Sequence, residues 1–223
     1  MGIYKRIAKE NLQGKWGAAV GATLIYLIAA VLSLFVIGFI IIGPLTVGLA
    51  LFYLRLTRKG RTEITSLFEP FNNFGNFLVL GIVKTIIILL WSLLCFIPGI
   101  AMSYAYGMSE YIMADNPSIS VKKAMDISDK MMYGKKRILF RLQFSIMGWI
   151  LIPALFFSLV TIYMIISGGL TTDNMNILWV PIISGLALIL LTTFLTPYYN
   201  AAKAAFYEDI KADFNATGEK NQP

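Results

Sequence analysis

The sequence predicts an all-α membrane protein with about six transmembrane or re-entrant helices in three hairpins, plus amphipathic helices at the cytoplasmic interface. Three observations carry that reading. The composition is 57% hydrophobic and 14% charged, with a mean hydropathy of +0.71, more apolar surface than a soluble core of 223 residues hides. The apolar runs are long enough to cross a bilayer and are interrupted at Gly43-Pro44 and Pro98-Gly99. Every one of the 19 Lys and Arg residues except Lys84 lies within residues 1–15, 55–75, 115–141 or 198–223. The turns between these stretches, including 167–176, hold no cation. The positive-inside rule then places the basic stretches and both termini in the cytoplasm and the bare turns outside.

Taken in order, a single helix over residues 16–54 would be about 58 Å long, nearly twice the hydrocarbon thickness, so the run must fold back. Gly43-Pro44 is the expected break, because proline lacks the amide donor and glycine tolerates a tight turn. The expected helices are 16–42 and a short 45–57, which crosses or re-enters. The aromatic segment 67–74 suits the head-group boundary. A third helix over 75–97 turns at Pro98-Gly99 into a fourth over 100–114, again crossing or half inserted. Residues 118–134 form the most amphipathic helix: Val121, Ala124, Met125, Ser128, Met131 and Met132 share one face, and Lys122, Lys123, Asp126, Asp129 and Lys130 lie elsewhere. Ser118 or Ser120 caps its start and Gly134 ends it. The cluster Lys135-Lys136-Arg137 leads into a helix over 138–167, kinked at Pro153. A helix over 177–196 stops at Pro197, and 200–214 follows as an interfacial helix with a polar tail over 215–223. One polytopic domain therefore covers 1–214. A cleaved signal peptide is not expected, since the first apolar run far exceeds a signal core.

Two charges fall inside expected spans, where each is costly and is read first as functional. Lys84 lies about 12 Å and Glu110 about 8 Å from the cytoplasmic boundary, on adjacent antiparallel helices, so they are a candidate ion pair. The alternative is that Lys84 snorkels to the boundary. Gly14, Gly17 and Gly21 have helix-packing spacing. Cys95 is read as a small buried hydrophobe.

No enzyme is expected. The chain has no His and one Cys, so the usual general base and any thiolate metal cluster are missing, and no phosphate loop, HExxH or nucleophile elbow appears. No cofactor or metal is expected. The net charge of +7 is juxtamembrane, which points to anionic head groups and away from nucleic acid.

A set of short motifs adds a family. Ile97-Pro98-Gly99-Ile100, Tyr104-Ala105-Tyr106, Tyr111-Ile112-Met113-Ala114-Asp115, Gly134-Lys135, Gly148-Trp149 and Pro197-Tyr198, with the early Gly14-Lys15-Trp16 and Gly43-Pro44-Leu45, resemble an uncharacterised bacterial integral membrane family, domain of unknown function nine-seven-five. Where the family tends to have Ser-Phe-x-Gly-Trp, this chain has Ser145-Ile146-Met147-Gly148-Trp149. The family is similar to the membrane region of some bacterial glycerophosphodiester phosphodiesterases, which implies a lipid-facing role without a catalytic centre.

The expected function is a non-enzymatic plasma-membrane protein, in an envelope, export or immunity role. Its basic face, with Lys122, Lys123, Met131, Met132, Lys135, Lys136 and Arg137, would contact anionic lipid, a membrane-protein partner or a second copy. The alternative is a small transporter or channel using Lys84 and Glu110, with the prolines and glycines at 43–44, 98–99, 153 and 197 as hairpin or kink points.

Overall fold

The computed structural model describes residues 2–32, 36–58, 60, 63–166 and 179–220. Those residues form nine α-helices and two short 3-10 turns, and no strand among them. Three helical stretches are long and apolar enough to cross a membrane: Ile64–Leu94, Lys136–Tyr163 and Ile182–Ala216.

The first element, α1 (Gly2–Leu12), is amphipathic and buries Ala8 and Leu12. Gly14, at φ +74°, turns the chain into α2 (Trp16–Leu32). The break expected at Gly43-Pro44 is absent, because α3 (Val36–Thr57) runs through Pro44. One helix ends at Leu32 and the next begins at Val36, and 33–35 are outside the described residues. Proline costs a helix one backbone hydrogen bond but does not have to end it. Gly43 serves packing here: a Cβ on it would sit 2.8 Å from the Phe77 carbonyl oxygen, and one on Gly81 would sit 2.9 Å from the Gly43 Cα. The two glycines mark the close crossing of α3 and α4. At 22 residues, α3 is about 33 Å long, so it is not the short segment the proline implied.

The aromatic segment is docked as well as exposed. Its 3-10 turns, Ile64–Leu67 and Glu69–Asn73, bury Ser66, Leu67 and Pro70 and leave Phe68 out. Leu67 seats so closely that a Cβ on Gly48 of α3 would lie 2.1 Å from its carbonyl oxygen.

Next, α4 (Phe74–Leu94) ends at Cys95, whose extended backbone (φ −160°, ψ 138°) makes the hairpin turn. The turn therefore comes three residues before Pro98, which occupies the first turn of α5 (Phe96–Ala105), where its missing N–H has no helical partner to lose. Cys95 is exposed, against the buried placement expected of it. Gly99 lets α5 lie against α4: a Cβ there would overlap Ser92. The expected helix over 100–114 is two helices. After α5, whose ten residues rise about 15 Å, half the hydrocarbon thickness, the chain turns at 106–108 into α6 (Ser109–Asp115).

The amphipathic helix is present as α7 (Val121–Met132), with Ser120 accepting from the Lys123 amide and Gly134 at φ +71° past its end. Its apolar face packs on protein. Met131 is 5% and Met132 0% exposed, so both are core residues rather than part of the exposed face expected of them. Ser128, also buried, accepts from the Met108 amide at 3.1 Å and donates to the Ala105 carbonyl at 2.7 Å, satisfying backbone groups freed where α5 stops and α6 begins.

Pro153 lies inside the continuous helix α8 (Lys136–Ile166) and Pro197 inside α9 (Trp179–Lys220). The interfacial helix and polar tail expected after Pro197 are instead the same helix carried on to Lys220. Its second half buries Ala201, Ala202, Ala204, Phe206, Tyr207 and Ile210 in the core rather than lying on a bilayer surface. The stretch 167–176 is outside the described residues.

The core sits at one end of the bundle, the end holding the charges. There Tyr53, Tyr207, Phe52 and Phe206 are fully buried. At the other end, Leu93, Leu94, Ile97, Ile152 and Ile166 are each more than 70% exposed. Such a surface is stable only where lipid replaces protein contacts. The three hairpins, α2 with α3, α4 with α5 and α8 with α9, remain, with two of their turns displaced from the prolines.

Candidate functional site

The charged end contains two polar assemblies and a set of cations outside both. The first assembly centres on Glu110. Because α6 starts at Ser109, its second residue projects toward the middle of α4, and Glu110 forms an ion pair with Lys84. Their side chains are only 14% and 18% exposed. The expected juxtaposition is therefore present, in contact with protein on nearly all sides. The Tyr26, Thr46, Tyr111, Thr196, Tyr199, Asn200 and Lys203 side chains join Glu110 around a cavity of about 300 Å³ formed by α2, α3, α6 and α9. Lys203 lies 5.2 Å from the Tyr111 ring centroid, a cation–π arrangement. Its charge reaches both Glu110 and Lys84.

The second assembly centres on Asp115, the last residue of α6 and 13% exposed. Arg58 donates to both of its oxygens, at 2.7 and 3.0 Å, while Lys211 at 2.5 Å and the Tyr207 hydroxyl at 2.9 Å donate to Oδ2. Arg58 also donates to Glu208, at 2.6 and 2.9 Å. One carboxylate thus ties the C-terminal ends of α3 and α6 to α9. Burial works against ionisation of Asp115, but the hydrogen bonds from Arg58, Lys211 and Tyr207 outweigh it and hold the carboxyl below its ordinary value. Around this centre, Arg55 pairs with Glu69, Lys135 with Asp213, Lys136 with Asp129, and Lys130 with Asp126.

These pairings sort the residues expected to contact lipid. Lys135 and Lys136 are spent on internal carboxylates, and Met131 and Met132 are core. Lys122, Lys123 and Arg137 are exposed and hold no ion pair among the described residues. Arg141, one turn after Arg137 on α8, is exposed in the same way and was not singled out by sequence. Its signal is its place: it precedes Phe144, Met147, Trp149 and Ile152, all exposed, where the helix enters an apolar environment.

Lys203, Asn200 and Tyr26 were also missed. Thr196, Asn200 and Lys203 recur at helical spacing, but only if the helix is carried through Pro197. Among the described residues, no group of three His, Cys, Asp or Glu side chains is arranged to hold a metal.

No curated protein and no solved structure matches the chain. The model of a family described as "Protein of unknown function (DUF975)" matches residues 92–213, from the end of α4 into the second half of α9, and so takes in Glu110, Asp115, α7 and Lys203. Since that match covers more than half of the 223 residues, the chain belongs to the DUF975 family.

Proposed function

We propose that this chain is a non-enzymatic multispanning protein of a bacterial plasma membrane, with its charged end and both termini in the cytoplasm, and that it binds anionic lipid there. The observation that carries the reading is the division of the cations. Carboxylates of the same chain pair with Arg6, Arg55, Arg58, Lys84, Lys130, Lys135, Lys136 and Lys211. Lys122, Lys123, Arg137 and Arg141 are left exposed beside helices that enter the apolar zone. A cation at that level attracts anionic head groups by about 1 kcal/mol each. The amphipathic helix contributes its charged edge to this surface, and its apolar face anchors it to the bundle.

Native mass spectrometry of the protein released from nanodiscs tests this. Phosphatidylglycerol should be retained over phosphatidylcholine, the preference should fall as salt is raised, and the Lys122→Gln, Lys123→Gln, Arg137→Gln, Arg141→Gln variant should lose most of it. Equal retention of the two lipids by the unaltered protein would refute the reading.

A further inference from the structure

The cavity beside Glu110 takes no part in that lipid contact, and its charges do not balance within the protein. Glu110 gives one carboxylate oxygen to Lys84, while Oε2 is buried with no hydrogen-bond partner among the described residues. A buried carboxylate oxygen without a donor costs about 1–3 kcal/mol or more, and since Glu110 lines the cavity, a guest that donates to its carboxylate from that side relieves the cost by a small rotation of the group. Lys203 on the same cavity makes no hydrogen bond or ion pair among the described residues, having only the Tyr111 ring beneath it. The Tyr26 hydroxyl, also on the cavity, has no hydrogen-bond partner among them either. The site thus offers one acceptor that lacks a donor, and two donors that lack an acceptor.

Three kinds of guest can be compared. A cation would satisfy Oε2 but would add a third positive charge beside Lys84 and Lys203. An anion would neutralise Lys203 but would leave Oε2 bare and set like charges together. A molecule with an ammonium and an anionic group a few bonds apart answers both demands. The volume, about 300 Å³, is at the small end of ligand cavities, enough for a head group or a small solute and too little for a whole lipid. Its α9 wall, from Thr196 to Lys203, lies where that helix passes from its apolar half to its charged half, the level at which phosphate groups meet a bilayer protein.

We infer that this cavity binds a phosphoethanolamine-type zwitterion, its ammonium donating to the Glu110 carboxylate and its phosphate accepting from Lys203 and Tyr26. The same chemistry comes from an aminophospholipid head group or from a free amino-phosphate.

The test uses the full chain in mild detergent, with binding read by native mass spectrometry and ligand-dependent thermal stabilisation. The probes are dihexanoyl phosphatidylethanolamine, free O-phosphoethanolamine and dihexanoyl phosphatidylglycerol. Saturable binding of the first alone assigns the site to a lipid head group, and of the second alone to a free solute; binding of both supports the shared chemistry. Lys203→Met, which leaves the Lys84–Glu110 pair in place, should weaken the bound zwitterion about tenfold or more. Should that variant not fold, Tyr26→Phe removes only a hydroxyl and should weaken binding severalfold. The variant lacking the Lys122, Lys123, Arg137 and Arg141 charges should bind the zwitterion unchanged, which separates this site from the anionic-lipid surface. Phosphatidylglycerol binding as tightly as phosphatidylethanolamine, indifference of the affinity to the folded Lys203 or Tyr26 variant, or binding of neither zwitterion would overturn the inference.

Discussion

Replacing Lys84 by Met removes a cation from a contact in which both partners are more than four-fifths covered, and it strands the Glu110 carboxylate in the same place. Breaking a buried pair on one side costs about 3–5 kcal/mol, because the remaining charge keeps its desolvation penalty without its partner. Protonation of Glu110 caps that loss, so the lower part of the range is the expected value. For a chain of this size each kcal/mol moves the midpoint by about 2–4 °C, giving a drop of roughly 6–12 °C. Removing both charges, in Lys84→Met with Glu110→Gln, should restore part of the loss, with a coupling of at least about 1 kcal/mol. The assay is thermal unfolding of the four proteins in one mild detergent, followed by tryptophan fluorescence. Additivity within about 0.5 kcal/mol would show that the two side chains do not act as a pair and would refute the reasoning.

Other consequences follow from packing and charge. Gly48→Ala should destabilise by about 1–3 kcal/mol, since the new methyl meets the Leu67 backbone, whereas Gly17→Ala, with nothing within 4 Å, should be close to neutral; the same thermal assay separates them. Met132→Ala should cost about 2–5 kcal/mol and leave phosphatidylglycerol retention unchanged, as a core residue requires. Asp115 ionises below its unfolded value, so its stabilisation is complete above the unfolded pKa, about 3.9, and is lost as pH falls through the lower, folded value. The stability gap between the unaltered protein and Asp115→Asn should therefore be full at neutral pH and should close below about pH 4, read as unfolding midpoints across that range.

What could be read in advance divides along physical lines. Helix content, the charged end and the Lys84–Glu110 contact were legible because apolar run length and the cost of an intramembrane charge are local properties of the chain. Breaks were less legible. Pro44 and Pro197, read as stops, lie within helices, as does Pro153, which was read as a kink inside one, because loss of one hydrogen bond does not end a helix held by its neighbours. Gly43 was read as a turn residue, and its role is the close crossing with Gly81, which depends on a partner distant in sequence. The amphipathic pattern of α7 was correct in phase, but periodicity says only that one face is apolar. It does not distinguish a bilayer from the Ala105–Met108 turn that Ser128 closes. The cavity was illegible for the same reason as α9 itself: with a stop placed at Pro197, Asn200 and Lys203 fall on a separate surface helix instead of continuing the face that carries Thr196.

The central claim is that the charged end, with its docked α7, faces the cytoplasm. It is tested most directly by a single thiol at position 122 in an otherwise cysteine-free chain, Cys95→Ser with Lys122→Cys, in intact bacterial cells. Lys122 is exposed, so a membrane-impermeant maleimide can reach a thiol there from whichever side it faces. The account predicts no labelling until the membrane is permeabilised and full labelling afterwards; full labelling of intact cells would contradict it.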